Sequence, residues 1–199
     1  MTAAQRLHDL GQSLWLDNIT RDLLDSGGLD ARVSSVASLF VSRWDRAVVE
    51  KVPQELQNRL GIAIAMRTYR AHSELVDGKR WRDLAAAGAR KQRMLWASTG
   101  TKDPKAPPSL YVEALAAPDT INTMPEKTLH AFAAQGRIGS VMPTDGGDAE
   151  AVLARFTAAG IDLDALARKL QMDGAQSFVK SWSELMQSIT EKSAALATS

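Results

Sequence analysis

Along this 199-residue chain, the residues able to do chemistry stand where apolar runs turn polar. In RMLWASTGTK, residues 93–102, an apolar stretch opens into Ser98, Thr99, Gly100, Thr101 and Lys102. A lysine in that setting serves as a nucleophile if its amine is neutral, or as a cation for a phosphate. The same transition recurs in WLDN with Asp17, in SVASLFVSRWD with Ser38, Arg43 and Asp45, and in TINTMP with Asn122. If these runs are parallel strands, their carboxyl ends form one mouth, where ligands of parallel α/β folds sit. For each residue the alternative is an ordinary solvated loop position. Metal chemistry has no support in the pattern. His8, His72 and His130 are scattered without ligand spacing, and no cysteine offers a thiolate, a disulfide or a nucleophile. TDGGDAEA, residues 144–151, lacks the lysine and preceding strand of a phosphate loop, and reads as a turn followed by an Asp148 helix cap.

The elements that must position these residues follow from periodicity. Strands are expected at residues 13–17, at 36–41 with a polar far end, at RMLWAS and at TINTMP. Between them lie helical stretches: TRDLLDSGG, residues 53 to about 73, WRDLAAAGARKQR, LYVEAL and EKTLHAFAAQG. Strands alternating with helices argue for parallel crossover units, hence an α/β sheet. AEAVLARFTAAG, LDALARKLQMDG and QSFVKSWSELMQSITEK then make a tail of three amphipathic stretches separated by Gly and Asp. One domain is expected, with a first βα unit at 1–29, three further units at 30–140 and C-terminal helices at 141–199. Trp15, Trp44 and Trp96 are expected in packing roles.

Composition narrows the partners. With 24 Lys and Arg against 23 Asp and Glu, the net charge of +1 supplies no field to gather nucleic acid or an anionic membrane surface. No apolar run approaches the roughly 18 residues of a membrane span, and MTAAQRLHDLGQ lacks the pattern of a secretory leader. A cytoplasmic protein is the expectation.

Taken together, LGQSLWLDNITRDLLDSGGL, SVASLFVSRWD, RMLWASTGTK and PDTINTMPEKTL resemble the bacterial transaldolases, and GIDLDALARKLQMDGAQSFVKSWSELMQSI resembles that family's closing helices. The resemblance implies a (β/α)₈ barrel of the pentose phosphate pathway that moves a dihydroxyacetone unit between sugar phosphates, without metal or cofactor. It also implies a gap. After SGGL the chain runs directly to DARVSSVASLF, so strands two to five of the barrel, with the Ser-Asn-Pro motif and the Lys-Val-Pro motif of the Schiff-base lysine, have no counterpart. What remains is a partial barrel of four parallel strands, the family's first, sixth, seventh and eighth.

By the same resemblance Arg43, Ser98 and Lys102 bind the substrate phosphate, Ser38 and Asn122 bind substrate, and Asp17 is the catalytic carboxylate of strand one. Open alternatives are an ion pair of Arg43 with Asp45 or Asp17, a cap by Asp17 for the helix near Thr20, and a solvated or nucleophilic Lys102. The chemistry needs a neutral amine that forms an imine with the ketose carbonyl, and that amine must be buried or beside another cation. Lys51, Lys79, Lys91, Lys127, Lys169, Lys180 and Lys192 stand in polar or amphipathic contexts that argue against this. Two readings remain: an enzyme of the transaldolase type, or a silent sugar-phosphate binder. Exposed strand edges predict a homo-oligomer, for instance a dimer with strand order 1-6-7-8 in each copy that closes an eight-strand barrel.

Overall fold

The computed structural model describes residues 34–197. The expected strand at 13–17, Asp17, Trp15 and His8 lie outside the described residues. Three parallel strands form the sheet, in the order β1 (Val36–Phe40), β2 (Arg93–Ala97), β3 (Thr120–Asn122). Val36 pairs with Arg93 and Phe40 with Ala97, while Met94 pairs with Thr120 and Trp96 with Asn122. Around the sheet run α1 (Val41–Val48), α2 (Leu60–Val76), α3 (Lys79–Ala86), α4 (Leu110–Ala114), α5 (Glu126–Gln135), α6 (Ala149–Ala158) and α7 (Leu163–Ala197). The alternation is α/β as expected; among the described residues the sheet has three strands.

The two faces of the sheet have different fates. Side chains alternate along a strand, so the register puts Leu39, Trp96 and Asn122 on one face and Ser38, Leu95 and Ile121 on the other. Leu39, Met94 and Trp96 are buried in one core with Val48, Leu60, Ile64 and Phe156 from the helices. On the opposite face Val36 and Ser38 are exposed. Trp44 joins the buried set, so both described tryptophans of the expected packing group are core residues.

Three boundaries differ from the reading of the sequence. The first strand stops at Phe40, and α1 begins at once with Val41. Val41, Trp44, Asp45 and Val48 are the buried residues at helical spacing, so the apolar run that looked like strand continues as a helix stripe. Arg43 and Asp45 therefore stand on a helix. The helix expected from residue 53 is a 3-10 turn (Gln54–Leu56) followed by α2. Finally, the last two tail stretches are one helix of 35 residues, because a single Gly174 costs a helix only about 1 kcal/mol and does not stop it.

Polar ties hold the helical layer. Glu150 of α6 accepts from Arg67 Nε at 3.0 Å and Arg70 at 2.9 Å, both on α2, which holds its carboxyl below the usual glutamate range. Lys91 pairs with Asp119. Before α6, Gly146 and Gly147 take positive φ of 84° and 51°, and Asp145 rather than Asp148 uses its side chain locally, accepting from the Gly147 amide at 2.9 Å. Asp148 occupies the cap position but makes no capping bond.

Candidate functional site

The turn from β1 into α1 places Arg43 in the first helical turn, at the carboxyl edge of the sheet. Its guanidinium carbon lies 4.1 Å from the centroid of the Phe40 ring, a contact that holds the cation on the exposed side of the sheet. Ser38, Phe40, Arg43 and Trp44 form one wall of a cleft of about 250 Å³, and α7 forms the other with Leu170, Gly174 and Phe178. A Cβ on Gly174 would stand 3.4 Å from an Arg43 terminal nitrogen, so the absent side chain leaves the guanidinium room against α7.

Ser98 joins this edge through the backbone. The Ser42 amide, next to Arg43, donates to the Ser98 carbonyl at 3.2 Å. Ser98 takes φ of 54°, a left-handed conformation that turns the chain abruptly at the end of β2. Gly100 is buried where a Cβ would approach the Pro125 ring at 3.1 Å, so the loop packs closely on the start of α5. Farther along, Asp103 accepts from Asn58 at 2.8 Å and from the Lys105 amide at 2.9 Å, which tethers the loop near α2 and holds the Asp103 carboxyl below its usual range.

Ser38, Arg43 and Ser98 thus come to one edge of two adjacent strands. Lys102 is exposed on the loop and does not line the cleft. Asn122 lies on the other face, level with Trp96, where it accepts a 2.7 Å hydrogen bond from the buried Thr99 hydroxyl. The register decides this: its side chain shares a face with Trp96, not with Ser38.

Asp45, expected at the mouth, belongs to the core. Its carboxylate accepts from the Leu60 amide at 2.9 Å, the Gly61 amide at 3.2 Å and the Tyr111 hydroxyl at 2.8 Å. It is the missing N-terminal cap of α2, whose own cap position, Arg59, makes no side-chain bond. Burial pushes the Asp45 carboxyl up to about 6, against these three hydrogen bonds that favour the charged form. Burial and the facing carboxylate push the Tyr111 hydroxyl upward as well. At Asp45 the geometry builds a helix cap, not an ion pair with Arg43.

Sequence reasoning missed Phe40 beneath Arg43, the Ser42 amide and the α7 wall. Phe40, three residues before Arg43, left a local signal; Gly174 left none, because its partner is far along the chain. All nine lysines of the sequence fall within the described residues, and none is buried. His72 Nε2 lies 2.7 Å from the Gln92 carbonyl, and His130 is 3.6 Å from Glu126 on its own helix. Among the described residues no group of three or more His, Cys, Asp and Glu is arranged to hold a metal ion. No helix among them is long and apolar enough to cross a membrane.

Comparison with known proteins identifies the family. The family model Transaldolase/Fructose-6-phosphate aldolase matches residues 14–189. The transaldolase of Parafrankia sp. (strain EAN1pec) is 43% identical over 168 residues, which covers 80% of this chain and 46% of that protein. For the transaldolase of Saccharopolyspora erythraea the identity is 42% over 168 residues, covering 81% and 46%. For that of Mycolicibacterium smegmatis it is 38% over 187 residues, covering 90% and 50%. The chain spans about half the length of the curated relatives it matches. A match that runs through the strand ends carrying Arg43 and Ser98 and on into α7 places this chain in the transaldolase/fructose-6-phosphate aldolase family.

Proposed function

We propose that this chain is a partial transaldolase barrel that binds the phosphate end of a sugar phosphate, and that the amine needed for dihydroxyacetone transfer is not among its own lysines. The observation that carries this reading is the junction of Arg43 with Ser98 through the Ser42 amide, 3.2 Å from the Ser98 carbonyl. A planar guanidinium offers two parallel donors to a phosphate dianion, and Ser98 adds a hydroxyl from the neighbouring strand end. Lys102 contributes from the exposed loop as a further cation, and Ser38 lines the approach. Asn122 acts through Thr99, by holding the loop. The exposed face bearing Val36 and Ser38 corresponds to the interior of the complete barrel, with β1, β2 and β3 as its last three strands.

Imine chemistry at neutral pH needs an amine freed of its proton by burial or by a neighbouring cation. The nine lysines of this chain are exposed or half-buried, and the least exposed of them, Lys91, is paired with Asp119. Transaldolase chemistry therefore requires an amine from outside these 199 residues.

Two measurements test the reading together. Fructose 6-phosphate is expected to raise the melting temperature of the chain, because a ligand of the native state stabilises it by mass action. Arg43→Ala is expected to weaken that binding on the order of 100-fold, the loss of a charge-assisted bidentate contact. Borohydride reduction with the same sugar is expected to trap no adduct. A lysine adduct would overturn the silent reading, and an Arg43→Ala chain that binds as well as the parent would remove the phosphate site.

A further inference from the structure

Beside the candidate cleft, whose α7 wall shares Phe178, the largest unexplained feature is the distal half of α7. Phe178, Trp182, Leu185 and Ile189 are spaced four, three and four residues apart, so they stand on one stripe of the helix, flanked by Val179 and Met186. All six are exposed: 64% for Phe178, 63% for Trp182, 51% for Leu185 and 52% for Ile189. Soluble chains rarely leave such a row of large apolar side chains in water.

We propose that this stripe is a self-association surface, on which a second copy of the chain lays the same helix in antiparallel orientation. Three observations select that occupant. The first is spacing. The four-three-four pattern is that of alternating core positions in a two-stranded coiled coil, and an antiparallel register about the midpoint of residues 183 and 184 makes Phe178 face Ile189 of the second copy and Trp182 face Leu185 of the second copy. Each aromatic ring then meets an aliphatic side chain, and every layer occurs twice. The second is area. The six side chains expose on the order of 600 Å² per chain, so two copies bury roughly 1,200 Å², the lower bound of stable interfaces.

The third is charge. Lys180, Glu184, Glu191 and Lys192 balance along this half of the helix, and the first three lie off the stripe. A balanced helix has no attraction for an anionic lipid surface, which selects a strongly basic polar face. The segment also needs cover to be helical: it contains Gly174, five serines and Thr190, and a helix of that composition is marginal unless it buries its apolar face. Antiparallel pairing is preferred because the start of α7 packs near α1. Parallel helices would bring both globular bodies to the same end, whereas the antiparallel arrangement puts them at opposite ends and aligns the helix dipoles favourably.

Sedimentation velocity of the full chain across micromolar concentrations tests this. The parent is expected to sediment as a dimer, and Trp182→Glu and Ile189→Glu are each expected to halve the sedimenting mass. The absence of native cysteine permits a second, independent readout. The double variant Trp182→Cys/Leu185→Cys should cross-link two chains on oxidation, whereas Leu185→Cys alone should not. A monomeric parent overturns the proposal, whether the stripe is then found against residues 1–33 of the same chain or the chain floats with neutral phosphatidylcholine vesicles. So does a dimer that survives both glutamate substitutions, or one that Leu185→Cys alone cross-links, since that is the parallel arrangement.

Discussion

Asp45→Ala is expected to cost roughly 3–5 kcal/mol of folding stability, because it strips a helix cap and leaves a buried hydroxyl without its acceptor. The Leu60 and Gly61 amides at the start of α2 lose the only side-chain cap that the described residues provide, and Tyr111 loses its 2.8 Å partner. Against a total stability of about 5–15 kcal/mol for a domain, that change brings the chain close to unfolding. Arg43 stands two residues earlier on the same helix, so phosphate binding should fall with the loss of structure. Chemical denaturation of parent and variant at neutral pH measures the difference; a loss under about 1 kcal/mol would refute the capping role.

The same carboxyl gives a pH signature of definite sign. Its native value of about 6 lies above the 3.8 of an unperturbed aspartate, so between these values the native state holds the proton more tightly than the unfolded chain. The contribution is fully present below the unfolded value and is lost as pH rises through the native one, at most about 3 kcal/mol in all. Glu150, Asp103 and Asp119 act in the opposite sense, since their carboxyls are held below the usual range and their stabilisation fades as pH falls. Asp45→Asn isolates the term: from about pH 4 to pH 7 the parent should lose stability relative to the variant. Parallel stability curves for the two proteins would show that Asp45 does not titrate in this way.

Gly61→Ala is expected to destabilise the chain by about 2 kcal/mol or more, although alanine is intrinsically the better helix former by about 1 kcal/mol. The added Cβ would stand 2.6 Å from the Val41 carbonyl oxygen and 2.7 Å from Asp45 Oδ2. The first is backbone at the start of α1 and cannot swing aside. The second is the oxygen that bonds both Gly61 and Tyr111, so the substitution also disturbs the cap. Glycine here serves close approach of α1 and α2, which sets where Arg43 meets the cleft. Thermal unfolding checks the effect, and combination with Asp45→Ala should be less than additive because one of the two clashes disappears. An alanine variant as stable as the parent would mean that the two helices can separate at little cost.

Much of this protein is written in local pattern. Strands at VASLF, RMLWA and TIN, separated by helices, follow from apolar runs and from loops too long for hairpins, and chains so built form parallel sheets. That no lysine is buried was legible only in part: Lys51, Lys79, Lys91, Lys127, Lys169, Lys180 and Lys192 stand in polar or amphipathic contexts, whereas Lys102 follows a strand end and its exposure was decided by the path of the loop. Other features depended on distance along the chain. LFVSRWDRAVV satisfies both a strand pattern and a helix stripe, and only packing of Val41, Trp44 and Val48 against α2 decides where one becomes the other. Asp45 looked like a mouth residue because its partners, Leu60, Gly61 and Tyr111, are remote in sequence. Which face Asn122 occupies was not legible either; the β2–β3 register puts it level with Trp96. Periodicity is a property of neighbours and is legible one residue at a time; the face a side chain ends on, and what satisfies a buried charge, depend on elements that meet only when the chain has folded.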